Sequence, residues 1–169
     1  MDAQDTLFAL EPLLLAQLEA KLANLTPRPK VLTAADLAGV SENQQFTPAV
    51  HLVYQGYRVV ESPRADGTAA RIEQDWLCIV ATRSQKAIRA GDAARSEAGV
   101  LARRVCAAMM GFKPTPASKP LKIASGPNAG YSAGFQYLPL AFTAEIVLTP
   151  PPRTPYEPDP KPQPQPENS

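Results

Sequence analysis

Leu7, Leu10, Leu14, Leu18, Leu22 and Leu25 recur at intervals of three or four residues, the spacing of one helical face. Glu11, Gln17, Glu19, Lys21 and Asn24 fill positions between them, so the segment is amphipathic and packs its leucines on a neighbour. Pro12 is tolerated in a first turn but costly in an interior, which starts the main helix near Leu10. Pro27 and Pro29 end it. Lys30 to Thr33 reads as extended. Thr33 and Asp36 have capping-box-like spacing for a single helical turn between Thr33 and Val40, and Ser41 to Pro48 is polar loop.

The period then shifts to two. Ala49 to Val60 is rich in β-branched and aromatic residues. In Arg71 to Arg83, Ile72, Trp76, Cys78 and Val80 fall on one face, with Arg71, Glu73 and Asp75 on the other. Asp66-Gly67 between the two segments is a hairpin turn signal. Its long loop predicts strands that run beyond the sheet as a β-arm. A second helix is capped by Asp92 and buries Ala94, Ala98, Leu101, Val105, Ala108, Met109 and Phe112, with Arg95, Arg103 and Arg104 outward. Gly111 and Pro114 close it. Pro120 to Ala124 forms a short strand and residues 125–134 a glycine-rich turn. In the last strand Leu138, Leu140, Phe142, Ala144, Ile146 and Leu148 alternate with Pro139, Ala141, Thr143, Glu145 and Val147. Pro139 marks a sheet edge or a bulge.

This order predicts an α+β fold, a mainly antiparallel sheet with two helices packed on one face. Residues 1–149 form a single domain of ordinary size. Residues 150–169 hold nine of the nineteen prolines, with Tyr156 as their only large apolar side chain. Proline at such density excludes a helix or a central strand, so this tail is expected to be disordered, extended and polyproline-like.

Charge and cysteine content remove several function classes. Seventeen basic against sixteen acidic side chains give a net charge of +1, no strong footprint for nucleic acid or an anionic membrane. No apolar run is long enough to span a bilayer. The start MDAQDTLFAL is acidic where a secretion signal is basic. Cys78 and Cys106 sit in apolar segments and read as buried free thiols of an intracellular protein, with a disulfide between them as the alternative.

Candidate chemistry is sparse. His51 lies in an apolar strand with no nucleophile or orienting carboxylate nearby in sequence, which favours a partly buried or interface histidine over a general base. One histidine and two separated cysteines lack the paired spacings of a zinc site. Gly126, Gly130 and Gly134 do not form a phosphate loop and are expected at turns with positive φ. Asp92 and Glu97 are five apart on a helix and share no face, while Arg103 and Arg104 are a solvated surface. No catalytic, cofactor-binding or metal-ligating residue is assigned, and no cofactor. An enzyme would need the fold to gather distant groups such as His51, Asp75 and Tyr131.

The helix LEPLLLAQLEAKL, the strands PAVHLVYQGYRVV and RIEQDWLCIVATR, the helix beginning GDAARSEAGVLARRVCAAMMGF and the closing strand LPLAFTAEIVL together resemble the tail terminator proteins of long-tailed bacteriophages. The resemblance spans most of residues 5–149 and omits the proline-rich tail. It implies a non-enzymatic virion protein, made in the host cytoplasm, that assembles as a homo-hexameric ring on the head-proximal end of the tail tube. Its implied partners are other copies of itself, the tail tube protein and a neck or head-completion protein. Strand edges near the 61–70 hairpin tip and Pro139 are candidate contacts. Another head–tail joining or tail-completion protein is the alternative, followed by an adaptor presenting the proline-rich arm to an SH3- or WW-like groove.

Overall fold

The computed structural model of the chain describes residues 6–37, 45–62, 64–83, 91–132 and 134–149, and of residues 37 and 91–96 the backbone alone. Helix α1 spans Glu11–Leu22, strand β1 Lys30–Thr33, the short helix α2 Ala34–Leu37, β2 Ala49–Glu61, β3 Ala70–Arg83, α3 Gly91–Met109, β4 Lys122–Ala124, β5 Gly130–Ser132 and β6 Phe135–Leu148. Pro12 falls in the first turn of α1, where its missing N–H has no intrahelical partner to lose. Asp36 holds the start of α2, its Oδ2 accepting from the Thr33 amide at 2.7 Å and the Thr33 hydroxyl at 2.9 Å. The proposed Asp92 cap, Ala94 and Arg95 are side chains outside the described residues.

The sheet runs β1-β2-β3-β6-β4, with β5 also on β6. It is antiparallel except for β1, which joins β2 in parallel. Paired residues share a face, so register assigns every side chain. Val50, Leu52, Tyr54, Ile72, Trp76, Cys78, Val80, Phe142, Ala144 and Ile146 face the helices. Leu10, Leu14, Leu18 and Leu22 of α1 and Ala98, Leu101, Val105, Ala108 and Met109 of α3 close one core over them. Each such buried leucine contributes roughly 1.5–3 kcal/mol.

Gln74 lies in the middle of the same stripe and is fully buried. Its Nε2 donates to the Leu7 carbonyl at 2.7 Å, and its Oε1 accepts from the Trp76 indole at 3.2 Å. One polar side chain thereby satisfies a buried tryptophan and ties the segment before α1 to the sheet.

The long hairpin is present and wider than a two-stranded arm. β2 and β3 pair as far as Glu61 with Arg71, and β6 accompanies β3 over its full length to Ala70 with Leu148. Gly67 takes φ 70° at the turn and donates its amide to the Arg64 carbonyl. Among the glycines expected at positive φ, only Gly134 has it, at 84°. Gly126 lies close to β6, where an added Cβ would stand 3.1 Å from the Pro139 carbonyl oxygen, while Gly130 faces open space. Pro139 stands opposite Ile79 of β3, and on the other side of β6 it falls between the stretches that pair with β5 and with β4.

Candidate assembly surface

Element lengths differ between the two layers. Fourteen-residue strands extend about 46 Å at 3.3 Å per residue. Helices of 12 and 19 residues extend about 18 and 28 Å. Each helix is therefore shorter than the central strands it packs on. Toward the hairpin end Tyr57, Val59 and Leu148 lie on the helix side yet are exposed, Tyr57 and Val59 at 54% and 60%, while Ile72 and Ile146 beside Val59 are buried. Phe8 is also exposed and meets Tyr54 edge-on at 5.1 Å, and Tyr54 meets Trp76 at the same distance. An aromatic chain thus runs from the surface into the core.

The opposite face of the same end is charged. Glu73 and Glu145 stand directly across from one another on β3 and β6, a like-charge pair that destabilises a sheet unless cations intervene. Three do. Arg58 pairs with Glu73 and lies 3.7 Å from Asp75. Arg71 bridges Glu61 at 2.6 Å and Glu145 at 3.2 Å, and Lys119 reaches Glu145 at 2.9 Å. The Glu145 carboxylate also accepts from the Ser118 hydroxyl at 2.9 Å. Hydrogen bonds from Lys119, Ser118 and Arg71 hold its pKa down to about 2, against the opposing effect of burial. The ladder joins residues of β2, β3 and β6 with Ser118 and Lys119 from the segment before β4.

A third feature is the outer edge of β2. β1 pairs only with Ala49 to Leu52, so Gln55–Glu61 has no strand on its outer side among the described residues. Register shifts at Tyr54/Gly56 and Val59/Glu61 bend this edge, the usual device against indiscriminate pairing. At the far end of the sheet an apolar groove of about 430 Å³ opens between Leu25, Pro27, Pro29, Pro48, Val100 and Leu101.

The residues weighed for chemistry are not gathered. His51 stands opposite Ile79, four residues along β3 from Asp75, which is about 13 Å. Tyr131 is exposed on β5 beyond β6. His51 is 2% exposed, and neither ring nitrogen has a hydrogen-bond partner among the described residues. Burial lowers its pKa, with Asp36 opposing. Nearby, Gln45 accepts from the Tyr137 hydroxyl, so the connection into β2 reaches over this face of the sheet. Cys78 and Cys106 are free thiols, and burial pushes Cys78 up to about 12. Arg103 and Arg104 are exposed on α3. No group of three or more metal-ligating side chains occurs among the described residues. The sequence reading missed Gln74, whose even-numbered place in the β3 alternation was the available signal.

Residues 3–153, which include the whole described fold, match the family model of the phage tail terminator protein. The chain belongs to the phage tail terminator family. As a member it is a structural protein of the phage tail and resides in the virion. No curated protein matches it. Among solved structures it is similar to a chain of the virion of a native gene transfer agent particle, at 16% identity and a TM-score of 0.44, covering 77% of this chain and 84% of that one. In this member the charged ladder, the exposed apolar residues and the β2 edge left uncovered among the described residues lie at one end of the sheet.

Proposed function

We propose that this terminator assembles as a homo-hexameric ring on the head-proximal end of the tail tube, stops tube growth and presents a joint to the neck or head-completion protein. The observation that carries the reading is the family match over residues 3–153. The surfaces support it. A ring is made from heterologous contacts, in which one patch of a subunit meets a different patch of the next. The apolar hairpin end and the proline-lined groove are two unlike patches at opposite ends of one sheet. Residues 1–149 act as the ring-forming domain and residues 150–169 as an extended proline-rich arm. The function needs binding surfaces and no catalytic residue, cofactor or metal.

Native mass spectrometry over a concentration series tests the ring. A discrete hexamer is the expected species. A stable dimer that never grows would contradict the proposal, because an isologous pair leaves no route to a closed six-fold ring.

A further inference from the structure

Glu157 to Glu167 reads EPDPKPQPQPE, with proline at every second position: Pro158, Pro160, Pro162, Pro164 and Pro166. In an extended strand successive residues turn their N–H and C=O groups to opposite sides. Strict alternation therefore sorts the hydrogen-bonding groups. Glu157, Asp159, Lys161, Gln163, Gln165 and Glu167 all present donors and acceptors along one side, while the prolines leave the other side without a single N–H. Each residue before a proline is also restricted to the extended region, so little conformational freedom is lost on pairing. Such a segment can add to one sheet edge and cannot template a further strand.

The described fold offers one long edge of the matching kind, Gln55–Glu61 of β2, which carries the exposed Tyr57, Val59 and Val60. We propose that the 157–167 segment of a neighbouring copy adds to this edge as a β-strand. The inference rests on the ring reading above. Placement argues for a neighbour over the same chain. β6 ends at Leu148 beside β3, two strands from β2, and in the sequence that follows Thr149, Pro150 and Pro151 each precede a proline, which disfavours a tight turn at that point. Return to the chain's own β2 would need a reversal within the eight residues 149–156, four of them proline. Outward, these eight residues carry the segment up to about 25 Å beyond Leu148 at 3.1 Å each. In a closed ring each subunit gives one arm and receives one, so every β2 edge is covered and every added strand ends in a proline-blunted side.

The test uses full-length protein assembled from an equal mixture of heavy-isotope-labelled and unlabelled chains, with the photo-crosslinker p-benzoylphenylalanine at position 57. Crosslinked peptides from 157–167, joined in mixed-isotope pairs, are expected. Crosslinks found only within one isotope would place the arm on its own subunit and overturn the proposal, as would a ring without arm crosslinks. Failure to form any ring would instead overturn the ring reading together with this one. In a second arm, Gln163→Pro with Gln165→Pro removes two donors and should lower crosslink yield about tenfold or more, while Gln163→Ala with Gln165→Ala should retain it. Equal yields from the two pairs would refute the hydrogen-bonded strand.

Discussion

Replacing Gln74 with leucine probes a fully buried polar side chain in the middle of the core stripe. Leucine has a similar volume and keeps the stripe apolar, so the change isolates hydrogen bonding from cavity formation. It takes the acceptor from the Trp76 indole, which is fully buried, and the donor from the Leu7 carbonyl. A buried group left without a partner costs about 1–3 kcal/mol. Leu7 is only partly buried and its carbonyl can turn to water, so most of the loss comes from the indole. The expected penalty is about 1–3 kcal/mol, after a small gain from added apolar surface. For a chain of this size it lowers Tm by about 2–4 °C per kcal/mol. Trp76 is the only tryptophan, so its fluorescence follows the site and the unfolding transition together. In a Trp76→Phe background the same substitution should cost clearly less, because the indole donor is gone. An unchanged or raised Tm for Gln74→Leu, measured at one fixed protein concentration, would refute the role given to this residue.

Leu18→Ala removes a fully buried side chain at the α1 contact with the core and should destabilise by about 2–5 kcal/mol, whereas Leu13→Ala, on the exposed side of the same helix, should cost under about 1 kcal/mol; urea unfolding distinguishes them. The Glu145 carboxyl is depressed in the folded state to about 2, so its contribution is complete above the ordinary carboxylate range and is lost as pH falls through its folded value. The Tm difference between the wild type and Glu145→Gln should accordingly shrink from about pH 5 to about pH 2, and a difference constant across that window would contradict the ladder. Cys78, with its thiol pushed up to about 12, should stay unmodified by maleimide at pH 7.5 until the protein unfolds, and rapid native labelling of Cys78 would show that the core face of β3 is open.

Much of the fold was readable because single-element signals were strong. The leucine spacing of α1 and the alternation of β6 each name a buried face without reference to anything else. Pairing is less legible, since a period of two says which residues share a face and nothing about the neighbouring strand. That is why the hairpin was expected as a two-stranded arm, while β6 in fact lines β3 to its end. Gln74 escaped notice because the β3 stripe was traced through its apolar members, and the need of Trp76 for an acceptor appears only once both are buried. Glu145 was read as a polar position of β6. Its importance depends on Arg71 and Lys119, residues far from it in sequence. Gly126 and Gly130 were expected at positive φ from composition alone, whereas Gly126 lies close beside the backbone of β6. The candidate surface was legible in outline, at the 61–70 end, but its apolar and charged faces follow from the register of β2, β3 and β6.

The central claim is that this chain closes the growing end of a tail tube. Its most direct test is electron microscopy of tubes polymerised from the cognate tube protein with and without the purified terminator. The account predicts tubes that stop extending and carry six-fold density at one end only. Tubes that keep lengthening at the same rate, with no added density at either end, would contradict it.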